Sequence, residues 1–260
     1  MTASETRLRR GLELRRRYSA AEIDVLTEAE AQRFTRGEAA DPESDLAWEL
    51  LYRLEPELYE RLVAAERLHP AVLAWLPHDV ERIVEVAAGT GRLTLELVDR
   101  AREVLAIEPA GPLREILNQK LLHADHGHRV RVAHGFFDDL PVADAYADLV
   151  VSCSALTPAP EHGGEAGLAE MERVCRPGGC VALVWPNHLS WLAAHGYRHV
   201  SFDDGEMFVE FASHEEAVEL TEIFYPGCAE EVRRQGWRRV PYHALGVNPP
   251  RDLAYKVIDR

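Results

Sequence analysis

A chain of 260 residues holds one sizeable α/β domain with additions or two small domains, and 47% apolar content suits a globular protein with a true core. No apolar run reaches the ~18 to 20 residues that cross a bilayer, and no signal-peptide core follows the basic N-terminus MTASETRLRRGLELRRRYSA, so the expected location is the cytoplasm. A formal charge of −15 sets the average field against a nucleic-acid partner.

The first eighty residues predict helices, read as an N-terminal cap over residues 1–80. ETRLRRGLELRRRYS and SAAEIDVLTEAEAQRFTRG space their apolar residues three and four apart, with Gly37 as a stop. The cluster Arg7, Arg9, Arg10, Arg15, Arg16 and Arg17 reads as a solvated helix face or partner contact that pairs with the acidic stretch after it. DPESDLAWELLYRLEPELYERLVAAERLHP predicts one or two further helices, started at Ser44, broken near Pro56 and ended before Pro70.

From Glu81 the pattern alternates. RIVEVA, EVLAIEP, RVRVAHGF, ADLVVSCSAL and CVALVWP predict five strands. GRLTLELVDRA, GPLREILNQKLLHA and EAGLAEMERVC predict helices between them. Short apolar strands alternating with helices mean a parallel sheet covered on both faces, and right-handed crossovers make it doubly wound. Residues 81–260 are read as this domain, with a substrate-side insertion at about 187–213. HEEAVELTEIFYPGCAEEVRRQG predicts helix broken at Pro226 and Gly227, and WRRVPYHALGV and DLAYKVI predict two final strands. Cys153, Cys175, Cys180 and Cys228 lack CxxC spacing and read as reduced, buried apolar residues, with no metal expected.

Ligands of an open parallel sheet collect at the carboxyl ends of the strands, where strand order reverses. VEVAAGTGR ends the first strand there. Gly89 and Gly91 let the backbone turn sharply and approach a ligand without a Cβ in the way. A helix starting near Thr90 would aim its free N–H groups at the same spot. Glu108, ending the second strand, is placed to accept two hydrogen bonds from a ribose diol, so the ligand reads as a nucleoside-bearing cofactor. A dinucleotide site wants G-x-G-x-x-G, and Thr94 occupies the third position here; the turn by itself leaves both cofactor classes open.

VEVAAGTGR, the acid in AIEP, HGFFDDLP, DLVVSCSAL and MERVCRPGGCVALVWP follow in order. Together they resemble the class I S-adenosylmethionine-dependent methyltransferases, particularly the small-molecule branch, over about residues 81–186. The resemblance implies a Rossmann-like methyltransferase fold: a doubly wound, mostly parallel seven-stranded sheet with an N-terminal helical lid and a terminal antiparallel hairpin. It implies S-adenosyl-L-methionine as cofactor, with Glu85, Ala87, Gly89 and Gly91 in the loop beneath its methionine part and Glu108 on the ribose hydroxyls. Phe137, with Asp138 and Leu140 nearby, would flank the adenine, and Ser152, Cys153 and Ser154 would face the sulfonium region. Trp48, Tyr52 and Tyr59 form a partly shared face of the lid, and Tyr59 in ELYERL resembles the family's lid tyrosine. Two departures stand out. Ala87 replaces the usual first glycine, which is tolerable with a negative φ there. Phe136 replaces an Asp that often accepts the adenine amino group, leaving that task to Asp138 or to stacking and backbone contacts.

The fourth strand ends in SCSALTPAP and lacks the Asn/Asp-Pro-Pro-aromatic tetrad of many enzymes that methylate nitrogens on nucleic acids or glutamine; NPPR at Asn248 lies on the wrong segment. With the acidic charge, this points to a small-molecule acceptor, methylated at O or N. In-line displacement at an activated sulfonium draws mostly on positioning, and a base is needed only when the nucleophile arrives protonated. His162 and His188 are the candidate catalytic residues, because imidazole titrates near neutral pH. Trp185, Trp191 and His195 are expected to line the acceptor pocket, His195 also being a candidate base. Asp148 reads as a structural loop residue. The alternatives are an RNA or protein methyltransferase using the basic cluster, a non-catalytic S-adenosylmethionine-binding protein, and a nicotinamide dehydrogenase.

Overall fold

The computed structural model describes residues 12–16, 18, 22, 25–28, 30, 32 and 42–259 apart from 126 and 204. Strand β1 (Val80–Val86) pairs in parallel with β2 (Ala101–Ile107) on one side and β4 (Ala147–Cys153) on the other. Parallel strands β3 (Val130–Ala133) and β5 (Cys175–Val184) extend the sheet beyond β2 and β4. Beyond β5 lie β9 (Asp252–Val257) and β6 (Arg198–Ser201), where β9 runs antiparallel to both its neighbours. The order is β3-β2-β1-β4-β5-β9-β6, so the winding direction reverses between β1 and β4.

The sheet is buried on both faces because its strands are apolar at consecutive positions. Ile83, Leu149, Val151, Ala182 and Val184 join one core cluster, while Val84, Val150, Val181 and Leu183 join the other. The first face is covered by α1 (Pro42–Leu54), α2 (Pro56–Ala65) and α3 (Pro70–Trp75) through Leu51, Leu58, Leu62 and Val72. Each of these helices starts on a proline, whose missing N–H costs nothing in the first turn. The stretch α4 (Thr94–Leu97) and helix α5 (Gly111–His123) flank β2, and α6 (Gly164–Val174) with α7 (Leu189–Ala194) covers the opposite face. Helix α8 (His214–Phe224) returns to the first face through Leu220 and Phe224, followed by α9 (Ala229–Gln235) and α10 (Tyr242–Leu245).

Several expectations are corrected. Residues 12–16 are extended rather than helical: Glu13 N–H donates to the Phe224 carbonyl and Arg15 N–H to that of Ile223, both at 2.9 Å, with Leu14 buried. Arg16 pairs with Glu55 at 3.0 Å, while Arg7, Arg9, Arg10, Arg17 and Gly37 lie outside the described residues. The helix expected near Thr90 begins only at Thr94, because Gly91 turns through φ +95° and β2 already starts at Ala101. Helix α3 was not expected; His69 starts it, its Nδ1 accepting from the Ala71 N–H at 3.1 Å. The terminal hairpin does not form as expected either. Strand β8 (Arg239–Pro241) ends on a proline that leads into α10 and pairs with β7 (Phe208–Glu210) in a separate ribbon, so β9 takes β6 as its partner. No helix among the described residues is long and apolar enough to cross a membrane.

Candidate functional site

A cavity of about 310 Å³ opens at the carboxyl ends of the parallel strands, at the reversal between β1 and β4. Its floor comes from Ala87 and Gly89 after β1, Glu108 after β2, Gly135, Phe136 and Phe137 after β3, Cys153 and Ser154 at the end of β4, and Asn187 after β5. Its roof is Trp48, Glu49 and Tyr52 of α1 and Tyr59 of α2, with Leu12 of the extended N-terminal segment. Trp48, Tyr52 and Tyr59 are continuous, with ring centroids 6.1 Å and 4.7 Å apart in succession.

Three strand ends pass through the left-handed backbone region without glycine: Ala87 at φ +59°, Ser154 at +60° and Trp185 at +53°. The expectation of a negative φ at Ala87 is therefore corrected; each such residue holds roughly 1–2 kcal/mol of strain. Gly89 (φ +56°) faces the roof, and a Cβ there would lie 3.6 Å from Tyr59 Oη. Gly91 instead packs inward, where a Cβ would fall 2.5 Å from Leu117 Cδ1.

Glu108 closes the turn. Its Oε2 accepts from the Gly89 N–H at 2.9 Å and its Oε1 from the Ala110 N–H at 2.8 Å. Burial raises it to about 7, against those two bonds, and nearby Glu49 adds to the rise. Each oxygen keeps a lone pair for a further donor. Glu85 lies beneath the turn, outside the cavity wall: Thr94 Oγ1 donates to its Oε2 at 2.6 Å, and burial raises it to about 8. At the far end, Arg92 donates to Glu66 at 2.6 Å and contacts Cys153 Sγ at 3.4 Å, its guanidinium stacked 5.2 Å over the Trp185 ring. Tyr225 Oη donates to the other Glu66 oxygen at 2.7 Å.

The structure brings Tyr59, Ala87, Gly89, Glu108, Phe137 and His162 together on the cavity wall. Phe137 is held by close packing, since a Cβ at Gly163 or Gly167 would stand 2.9 Å from its own Cβ. His162, in the 3₁₀ turn Pro160–His162, lies close enough to Glu49 to lower that carboxyl, although burial leaves Glu49 raised overall. Other predicted residues lie elsewhere. Asp138 is half-buried beyond the wall, and Ser152 is buried beside Leu183 and Leu192. Trp185 is 2% exposed, its Nε1 donating to the Asn248 carbonyl at 2.8 Å, so NPPR serves as its partner. Trp191 and His195 turn away from the cavity: α7 leans on α6, with Trp191 Nε1 donating to Glu165 at 2.7 Å and His195 Nε2 2.6 Å from the same carboxylate. His188 precedes α7, half-buried, and burial lowers its pKa. Of the segment 187–213, only Asn187 reaches the described cavity wall; α7 and β6 build the sheet flank instead.

Asp148 is structural. Its carboxylate accepts from the N–H groups of Glu81 and Arg82 at 3.0 and 2.8 Å and from Arg176 at 2.6 Å, at the opposite end of the strands. None of the four cysteines forms a disulfide, and burial raises Cys175 to about 12 and Cys180 to about 11. Sequence reasoning missed Glu49, Glu66, Arg92, Glu161 and Asn187 in the wall. The only available signal was Arg92, a charge directly after the glycine turn in an apolar context.

Geometry fits an adenosine-type cofactor: a glycine turn open above, a buried carboxylate with spare lone pairs beside it, and an aromatic wall. Residues 83–179 match the family model described as a methyltransferase domain. An uncharacterized methyltransferase of Mycobacterium tuberculosis (strain ATCC 25618 / H37Rv) is 30% identical over 134 residues, 49% of this chain and 50% of the relative. One from Staphylococcus carnosus (strain TM300) is 37% identical over 86 residues, 33% of this chain and 38% of the relative. The chain thus spans half or less of these relatives. The fold matches a chain in the solved complex between the Haloferax volcanii Trm112 methyltransferase activator and a methyltransferase, with TM-score 0.52 and 16% identity, covering 82% of this chain and 95% of that one. Residues 83–179 are thus similar to methyltransferase domains, and the chain that carries them shares the fold of that solved chain.

Proposed function

We propose that this chain is a cytoplasmic enzyme that transfers a methyl group from S-adenosyl-L-methionine to an O or N atom of a small-molecule acceptor by in-line displacement. The observation that carries the reading is the cavity at the strand reversal, with buried Glu108 tied to the Gly89 turn. Roofing by α1 and α2 leaves room for a small ligand rather than a polymer.

When bound, the cofactor supplies an electrophilic methyl group on sulfur. Glu108 would hold the ribose hydroxyls, Ala87 and Gly89 the methionine part, and Phe137 the adenine. The two N–H donors on Glu108 fix its carboxylate in place. Trp48, Tyr52 and Tyr59 exclude water from above. His162 is the candidate base, since it lines the cavity within the field of Glu49.

Titration calorimetry with S-adenosylhomocysteine and with NAD tests the cofactor class. S-adenosylhomocysteine should bind and NAD should not; the reverse would make the chain a nicotinamide enzyme. Glu108→Ala should weaken S-adenosylhomocysteine by about 1 to 3 kcal/mol, the scale of a lost charged hydrogen bond. An unchanged affinity in the folded variant would remove the ribose contact. RNA binding lost at higher salt would instead favour a macromolecular acceptor.

A further inference from the structure

We propose that Glu161 is the recognition group for a cationic amine, so that the methyl acceptor of this chain is a small primary or secondary amine. That this amine accepts a methyl group rests on the methyl-transfer reading above; the amine site itself does not.

Glu161 sits in the turn between β4 and α6, is 8% exposed and lines the cavity. Neither of its carboxylate oxygens has a hydrogen-bond partner among the described residues. The other three carboxylates in the wall are all answered by the protein: Glu49 by Arg53 at 2.5 Å, Glu66 by Arg92 and Tyr225, and Glu108 by two backbone N–H groups. A buried, unanswered carboxylate is costly and is relieved by a cation or strong donor from outside the chain. The backbone of the turn that carries Glu161 is held in place. Gly163, directly after it, holds φ +102°, with space for a Cβ filled by Leu156 and Phe137, and Thr157 bridges to Gly163 across the loop.

An ammonium matches this group better than a hydroxyl does. It brings a positive charge and several N–H donors, whereas an alcohol brings one donor and leaves the charge buried. The aromatic roof formed by Trp48, Tyr52 and Tyr59 offers ring faces that favour a cation. One ammonium N–H bond breaks with its electron pair staying on nitrogen, the proton joins Glu161 as a carboxylic acid, and the amine is left with the lone pair that a nucleophile needs. An ammonium also occurs on the cofactor's methionine part, and the test separates the two sources.

Calorimetry on the full chain saturated with S-adenosylhomocysteine would use a set of small aliphatic and aromatic amines, each matched with the alcohol of the same skeleton. Amines should bind at least tenfold more tightly than their alcohols, and Glu161→Gln should remove that preference while leaving S-adenosylhomocysteine affinity unchanged. Equal binding of alcohols, no amine binding, or an amine preference that survives Glu161→Gln would overturn the proposal. So would a tenfold loss of S-adenosylhomocysteine affinity in that variant, which would give the carboxylate to the cofactor. If wild type ignores S-adenosylhomocysteine yet keeps the amine preference, the methyl-transfer reading fails and the amine site stands.

Discussion

Ala87 holds a methyl side chain through φ +59° where a glycine would turn freely. Replacing it with glycine should stabilise the chain by up to about 1 kcal/mol, the relieved strain being partly offset by the greater freedom of the unfolded chain. Urea denaturation checks this, and a less stable Ala87→Gly would mean that the methyl group packs usefully. The carboxyls below the turn give a second expectation. Burial raises Glu85 to about 8 and Glu108 to about 7 from an ordinary 4.5. A carboxyl whose pKa rises on folding stabilises the fold fully below its unfolded value, and that contribution is lost as pH climbs through the folded value. Ligand-free Tm should therefore fall between about pH 5 and pH 8, and Glu85→Gln should flatten the fall. A wild-type Tm that is level over this window would contradict the burial of these groups.

At the scale of elements, the buried Glu66–Arg92 pair ties three segments together: the end of α2, the stretch before α4 and Tyr225 after α8. Burial alone would pull the Arg92 guanidinium down, and facing Cys153 and Glu66 outweigh it, so it stays charged. Removing one member of such a pair strands the other. Arg92→Ala should cost about 3–5 kcal/mol, and the double change Glu66→Gln with Arg92→Met should recover much of it. A double-mutant cycle read by urea denaturation measures the coupling; additive losses would mean the pair does not act as a unit. The same long-range packing explains the misread elements. The strand potential of WRRVPYHALGV is real over Arg239–Pro241, but its partner is β7, whose Glu210 pairs with Arg239 from 29 positions earlier in the chain. Trp191 sits on a six-residue helix and His195 directly follows it, and their facing is set by Glu165 of α6, which no periodicity within α7 could reveal.

For the whole molecule, a ligand that binds only the folded state adds stability by mass action. S-adenosylhomocysteine at one hundred times its Kd should stabilise the chain by about 2.7 kcal/mol, and NAD at equal concentration should leave it unchanged. Thermal melts with each ligand read this directly, and no shift with either would argue that the cavity serves another ligand. The sequence by itself determined the alternating architecture, the glycine turn and the strand-end acid Glu108, because each is written in a contiguous stretch whose local chemistry suffices. Only the tertiary structure decided which side chains share the cavity with them. Glu49, Glu66, Arg92 and Glu161 come from separate elements on both sides of the glycine turn, and their convergence depends on how the helices dock over the sheet. Docking is set by burial summed over many weak contacts, and no short segment carries it.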